Sequence, residues 1–386
     1  MQKFTFHVIG LPHTKVNKDF LPCAYTQKVL NFCKMMKSLG HTVYMYGGEG
    51  SDPQYCTEFV PVISDAEQQQ FFGHTDWRKD FFPIDWDSNL PYWKLFNDNT
   101  VKEIGKRVQP TDFICVIGGN CQQPIVDAFQ KNTSVEFGVG YKGIFTKHRV
   151  FESYAWMHHV YGLSGIENGQ AFDCVIPNYF DTADFPYSEE HDDNFLFVGR
   201  MIVRKGVHIA AEICGITDSK LIIAGQGATV LENGTIKAKE FELPARTGTE
   251  YIGTIGKEKR GELMSRAKAL FVPTQYIGPF EGVHIEANLC GTPVITTDWG
   301  VFAETVKNGF NGYRCRTMGE MKWAMENVDK LDRKAIRQWA QENFGLDRVK
   351  MQYQAYFEQL YTLWGKGYYD TEWNAGISKY NRYNQF

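Results

Sequence analysis

The sequence predicts an α/β protein of two Rossmann-like domains, each a parallel sheet covered by helices, and three observations lead there. The chain has 386 residues, about the length of two ordinary domains. Short β-branched or aromatic runs alternate with amphipathic stretches, the pattern of parallel strands joined by helices, and the alternation falls into two series. Between them lies NYFDTADFPYSEEHDDN (178–194), acidic, turn-rich and aperiodic, which reads as an interdomain linker.

In the first series FTFHVIG (4–10) reads as a strand, residues 24–39 as a helix stopped by Gly40, and HTVYMYG as the next strand. DFICVIGG (112–119) is a buried strand entering a glycine turn, SVEFGVGY (134–141) a shorter strand, and residues 149–162 a helix. FDCVIPN closes the series, giving a first domain over 1–177. Residues 50–95, rich in aromatics, Pro and Asp, follow neither period and read as an insertion near the cleft. The second domain, 195–331, reads as strand NFLFVGR, a helix over 206–215, strands KLIIAG and EYIGTIG, helix KEKRGELMSRAK, strand ALFVPT, a helix after Gly282 and strand TPVITTD. From 332 to 386 the chain reads as helical, with Trp339, Tyr353, Tyr356, Phe357, Tyr361 and Trp364 at helical spacing, a stripe suited to covering the seam between domains.

Composition excludes several classes. With 43% hydrophobic and 22% charged residues the chain is globular, and a net charge of −4 gives no general attraction to nucleic acid or anionic membrane. Nine cysteines without a CxxC pair fit neither a disulfide framework nor a zinc site and read as buried thiols of a reducing compartment. The first residues lack a signal-peptide core, and no run of 18 apolar residues occurs, so the expectation is a cytoplasmic protein, at most peripheral to a membrane.

Two motifs carry chemistry. In FVGRMIVRKG a strand ends at Gly199, Arg200 follows, and Lys205 and Gly206 open a helix. Two cations at the carboxyl end of a parallel strand converge on the crevice where α/β folds bind ligands, and a diphosphate is their natural guest. Cations solvating a loop are the competing reading of so short a motif. In PTQYIGPFEGVHIEANLCGTPVI (273–295) Pro279 and Phe280 lead into a Glu281–Gly282 turn, with Glu286 on the first turn of the next helix. A carboxylate there can accept bonds from sugar hydroxyls or simply answer the helix dipole.

Together these motifs resemble the donor lobe of family 4 glycosyltransferases, retaining enzymes of the GT-B fold. GRMIVRKG matches the family's Gly-Arg-x(4)-Lys-Gly element, LIIAGQG its strand-plus-glycine segment, and IEANLCGTPVI its Glu-Ala-x(3)-Gly-x-Pro-Val signature. The resemblance implies two Rossmann-like domains facing a cleft, with the C-terminal helix crossing back to the first. It implies metal-independent, cofactor-free transfer from a UDP- or GDP-linked sugar, with Arg200 and Lys205 on the leaving diphosphate and Glu286 on ribose or donor hydroxyls. Gly199, Gly225, Gly253, Thr254, Pro279, Phe280, Glu281, Gly282 and Val283 would line the donor. In the first lobe Gly10, His13, Gly119, Asn120 and Tyr141 are acceptor-side or cleft candidates. The acceptor stays open among glycan, lipid, metabolite, protein and modified nucleobase.

Two departures stand out. The first of the family's paired glutamates would fall at 278, where this chain has Gly278, so that carboxylate is absent or replaced by Glu281. A histidine common after the fourth strand has no counterpart in ICVIGGNCQQP. These departures motivate the alternative of a non-catalytic nucleotide-sugar binding protein; within enzymes the competitor is another GT-B sugar-nucleotide reaction such as an epimerase or phosphorylase. Asp85-Trp86-Asp87 has metal-motif spacing but reads as a solvated loop, His158 and His159 as packing or surface residues, and glycines 47, 48 and 50 as a turn.

Overall fold

The computed structural model describes residues 1–18, 20, 23–74 and 84–362; Trp364 and the rest of 363–386 lie outside them. The chain divides into two compact units, Met1–Tyr179 with the residues from Leu346 onward, and Phe180–Gly345.

The first unit contains β1 (Thr5–Ile9), α1 (Ala24–Ser38), β2 (Thr42–Gly48), β3 (Glu58–Ile63), α2 (Asp65–Phe72), α3 (Pro91–Gly105), β4 (Phe113–Val116), α4 (Gln123–Ala128), β5 (Thr133–Val139), β6 (His148–Phe151), α5 (Tyr154–Leu163) and β7 (Cys174–Val175). The strands form one parallel sheet in the order β3-β2-β1-β4-β5-β6-β7. β4 and β5 are buried along their whole length, as strands covered on both faces must be, which is why their sequences are continuous rather than alternating.

Two expectations fail here. Residues 50–95 are not aperiodic throughout: β3 and α2 lie within them, and α2 starts from a capping box in which Ser64 and Glu67 exchange bonds. Residues 149–162 are not one helix. HRVF pairs with β5 as β6, and α5 starts only after Ser153, whose hydroxyl accepts from the Trp156 amide. Gly47 and Gly48 end β2 rather than forming a turn, and only Gly50 takes a left-handed turn conformation.

The second unit contains β8 (Asn194–Val198), α6 (Val207–Ile216), β9 (Lys220–Ala224), β10 (Ala228–Val230), β11 (Ile236–Ala238), β12 (Glu242–Leu243), β13 (Thr249–Tyr251), α7 (Lys257–Arg266), β14 (Ala269–Val272), α8 (Val283–Leu289), β15 (Val294–Thr297), α9 (Phe302–Thr305), β16 (Gly312–Cys315), α10 (Met318–Asn327) and α11 (Arg333–Phe344). Its main sheet is parallel in the order β13-β9-β8-β14-β15-β16. β10–β12 form a small antiparallel sheet of their own.

The stretch expected to be a free linker belongs to this unit from Phe180 onward. Phe180 packs on Phe185 and Phe280, Asp184 pairs with Lys257, and Arg337 lies 5.5 Å over the Tyr187 ring. Its acidic, turn-rich composition conceals these aromatic anchors. The segment from 332 is likewise divided. α11 ends at Phe344 and packs on α8, placing Trp339 in the second unit's core, 5.3 Å from Phe344. After Gly345 a separate helix, α12 (Leu346–Thr362), packs on α1 in the first unit. There Phe357 is fully buried, with ring centroids 4.6 Å from Phe6 and 4.9 Å from Phe113.

Because Phe357 fills the space over the first sheet, Phe357→Ala should destabilise the first unit by about 3–5 kcal/mol. Native-state hydrogen exchange would show faster exchange in β1, β4 and α1 with Phe180–Gly345 unchanged; wild-type protection throughout the first unit would contradict the placement.

Candidate functional site

In each sheet the winding reverses beside the first strand, between β1 and β4 and between β8 and β14. Ligands of open α/β sheets bind in the crevice at the carboxyl ends of the strands flanking such a point. In the second unit those ends deliver the two motifs read from the sequence. The loop after β8 closes through Gly206, which is left-handed (φ 77°), and any Cβ there would run into the Pro273 carbonyl carbon at 2.8 Å. Arg204's carbonyl accepts from the Gln275 amide at 2.9 Å, joining the loops after β8 and β14.

Gly199, Gly225 and Gly253 form a backbone layer beside this loop. The Gly225 amide donates to the Gly253 carbonyl at 2.8 Å, and a Cβ on Gly225 would overlap the Gly199 carbonyl, 2.6 Å from its carbon. The exposed Thr254 follows on the rim.

The charges gather around one carboxylate. Glu281 is buried, pairs with the Lys205 ammonium, and accepts from the Tyr276 hydroxyl at 2.6 Å. Burial pushes its pKa up, but the Lys205 charge and the bonds from Lys205 and Tyr276 outweigh that and hold it below the usual carboxylate range. Arg204 stacks over the Tyr276 ring at 4.6 Å and Lys205 lies 5.5 Å from it. Arg200 is exposed, and its charge also acts on Tyr276, whose pKa is raised by burial and by Glu281. Neither Arg204 nor Tyr276 was singled out from the sequence; both lie inside the two motifs, and only their stacking reveals them.

Gly278 and Glu281 are sterically linked. A Cβ on Gly278 would fall onto the Glu281 carboxylate, 2.9 Å from its Cδ, so the space of a side chain at 278 is filled from 281. Glu281 reaches it through a left-handed backbone (φ 59°), a conformation that costs a non-glycine residue about 1–2 kcal/mol. A carboxylate thus stands where a side chain at 278 would begin, carried by Glu281.

Three other residues expected at the donor have apolar neighbours. Phe280 is core, 1% exposed and packed on Phe344, Phe180 and His284. Gly282 abuts the Phe180 ring, and Val283 joins the same apolar cluster, while Pro279 is half-buried. Glu286 pairs with Arg260 of α7, a partner the sequence did not suggest, and keeps further acceptor capacity. A cavity of about 370 Å³ lined by Lys268, Pro293 and Arg333 opens at the amino ends of β14 and β15, away from these residues. Arg333 there is committed to the carbonyls of Ser188, Ala267 and Ser265.

In the first unit Gln122 does what no expected residue did. Its Oε1 accepts from the Ile117 and Gly118 amides and its Nε2 donates to the Gly10 carbonyl at 2.7 Å, tying the loops after β1 and β4 together. Gly119 lies against the Tyr141 ring, the Asn120 amide donates to Gly143, and the Tyr141 hydroxyl donates to Glu136. His13 is buried, which pushes its pKa down to about 3. Among the described residues no three His, Cys, Asp or Glu side chains gather as metal ligands would, and no helix is long and apolar enough to cross a membrane.

Residues 181–340, which carry this geometry, match the family of glycosyl transferases group 1. The second unit is a group 1 glycosyltransferase domain. Glycogen synthase of Mycobacterium tuberculosis is 30% identical over 155 residues, 38% of this chain and 37% of that protein. Spore coat protein SA of Bacillus subtilis is 26% identical over 171 residues, 40% of this chain and 45% of that protein. The matched region thus spans less than half of either relative. Solved glycosyltransferase structures share the GT-B fold over nearly the whole chain. Sucrose-phosphate synthase of Thermosynechococcus elongatus superposes with a TM-score of 0.67 at 14% identity, covering 93% of this chain and 100% of that one. AviGT4, a glycosyltransferase of avilamycin A biosynthesis, gives 0.64 at 19% identity, covering 93% and 98%. The Anabaena protein HepE in complex with UDP-glucose gives 0.63 at 12% identity, covering 93% and 100%.

Adding a methyl at 278 should displace the Glu281 carboxylate and strand Lys205. Gly278→Ala is expected to lower the second unit's unfolding free energy by about 3 kcal/mol, the usual cost of breaking a buried pair. Gly278→Glu combined with Glu281→Gly should recover most of it, since the carboxylate returns on relaxed backbone. Urea unfolding of the three variants decides, and a neutral Gly278→Ala would refute the steric link.

Proposed function

We propose that this chain is a retaining, metal-independent glycosyltransferase that moves a sugar from a nucleotide-sugar donor to a hydroxyl acceptor. The observation that carries the reading is the convergence of Arg200, Arg204 and Lys205 around the Glu281–Tyr276 pair at the carboxyl ends of β8 and β14, in a group 1 glycosyltransferase domain. A diphosphate entering there meets fixed cations, so charge developing on the leaving group is neutralised without reorganisation. Lys205 is held by Glu281 and bordered by Tyr276, which fixes its ammonium for that role.

In the proposed reaction the bond from the sugar's anomeric carbon to the diphosphate oxygen breaks as the acceptor oxygen bonds to the same face. The acceptor proton passes to the departing diphosphate. No protein base is needed in this scheme; the chain's contribution is positioning and electrostatics. Glu286, oriented by Arg260, accepts from the ribose or donor hydroxyls. HepE holds UDP-glucose, and UDP-glucose is therefore the first donor to test.

Arg200→Ala and Lys205→Ala should each reduce turnover about a hundredfold, corresponding to about 3 kcal/mol of transition-state stabilisation. Nucleotide release from a panel of UDP- and GDP-sugars measures this. Normal release by the double variant would remove the donor site from this crevice. EDTA is expected to leave release unchanged, and restoration by manganese of an EDTA-abolished activity would refute the metal-independent scheme.

A further inference from the structure

We propose that His284 is a positioning residue of the donor crevice: its imidazole holds the left-handed backbone of Glu281, and so keeps the Glu281 carboxylate against Lys205; the effect on turnover rests on the transferase reading above. The need for such a hold is set by the backbone. Among the described residues two non-glycine positions have positive φ, Asp218 and Glu281. Asp218 is exposed and follows α6, where a left-handed residue is an ordinary way to end a helix. Glu281 is buried and stands before a helix. Strain of this kind persists only where the surroundings over-determine it.

His284 supplies that constraint. Its backbone amide donates to the Glu281 carbonyl at 3.2 Å, and its ring Nδ1 lies 2.7 Å from the same oxygen. A carbonyl only accepts, so the ring proton sits on Nδ1. Burial pushes the pKa of the imidazole down to about 4, which keeps it neutral and makes Nε2 an acceptor. Nε2 stands 2.8 Å from the Thr305 hydroxyl of α9. The single proton of that hydroxyl therefore turns to His284 rather than to the Val301 carbonyl at 2.9 Å, and that carbonyl keeps the Thr305 amide at 3.0 Å.

The ring has no room to turn away. His284 is fully buried, with Phe302 edge-on at 5.3 Å and Phe280 tilted against it at 5.6 Å. Thr305 is fixed in turn, since its carbonyl accepts from Asn311 Nδ2 at 2.9 Å, and the same Nδ2 donates to Asn288 Oδ1 of α8 at 2.9 Å. The backbone of Glu281 is thus held from α8 and α9 together, while Lys205 and Tyr276 engage its carboxylate. Without the Nδ1 bond the peptide after Glu281 is free to turn, and the carboxylate is no longer directed at Lys205. Because Lys205 acts on charge that develops as the donor bond breaks, the loss should fall on kcat rather than on KM.

The test is nucleotide release by the full chain from the UDP- and GDP-sugar panel. It compares His284→Leu, which removes both ring bonds, with His284→Asn, whose amide keeps a donor near the Nδ1 position. Each is made in the wild-type chain and in the Gly278→Glu, Glu281→Gly background. In the wild-type chain the leucine variant should lose about tenfold in kcat with KM changed less than about twofold, and asparagine should restore most of the loss. In the second background the carboxylate is carried at 278 and glycine takes the left-handed conformation unaided, so His284→Leu should change kcat less than about twofold. Equal losses in the two backgrounds, or an asparagine variant no better than leucine, overturn the inference. Should His284→Leu not fold, His284→Gln, whose longer side chain puts its amide at the Nε2 position, takes its place with the same outcomes. The urea midpoint gives a second readout, independent of turnover: the substitution should lower it clearly less in the second background than in the wild-type chain, and equal shifts overturn the hold on Glu281. A wild-type chain that releases nucleotide from no donor refutes the transferase reading, while the urea comparison still decides for or against His284.

Discussion

A parallel strand leaves its sheet at the carboxyl end and must return across one face, so where the winding changes face two neighbouring loops part and leave a gap no crossover fills. Both sheets of this chain contain that gap, at β1/β4 and at β8/β14. In each unit a side chain spans it. In the second unit the gap is closed by charge, with Lys205 from one loop and Glu281 from the other. In the first it is closed by a neutral amide, Gln122, bonded to the Gly10 carbonyl on one side and to the Ile117 and Gly118 amides on the other. A charged tie suits an anionic guest, since the incoming phosphates can take over the cation; a neutral tie has no such affinity.

The first unit holds buried ion pairs too. Lys28 of α1 pairs with Glu152 and also donates to the Gly138 carbonyl, with both side chains almost fully buried. Burial penalises both ions heavily, so such pairs persist only when further bonds satisfy them. The surface pairs, such as Lys259 with Glu262, are exposed and contribute little to stability.

Much of this architecture was legible in the sequence because parallel strands buried on both faces leave continuous β-branched and aromatic runs, as in FICV and ALFV. What was illegible shares a physical cause. β6 is four residues followed closely by a helix, too short for either period to register. The 180–194 segment and the α11–α12 break depend on where aromatic side chains are buried, which no local pattern records. At the site, Gly199, Gly225 and Lys205 were readable as a loop motif, whereas Arg204 over Tyr276, Arg260 on Glu286 and Gln122 across two loops are pairings between distant segments. The Gly278 position is instructive: the sequence left its carboxylate absent or replaced by Glu281, and the left-handed backbone of Glu281 shows which side chain fills the space beside 278.

The division of the chain also has a bearing on synthesis. The second unit is one continuous segment whose ends are joined, the Phe180 amide donating to the Phe344 carbonyl at 2.9 Å and Phe180 bridging Gly345. The first unit is discontinuous and takes α12 from beyond that insert. A ribosome working from the amino terminus therefore releases a first sheet that must wait, its Phe6 and Phe113 uncovered, until the whole inserted domain has emerged and Phe357 arrives. Domain order in the chain is thus reversed in time: the second unit can complete its fold before the first.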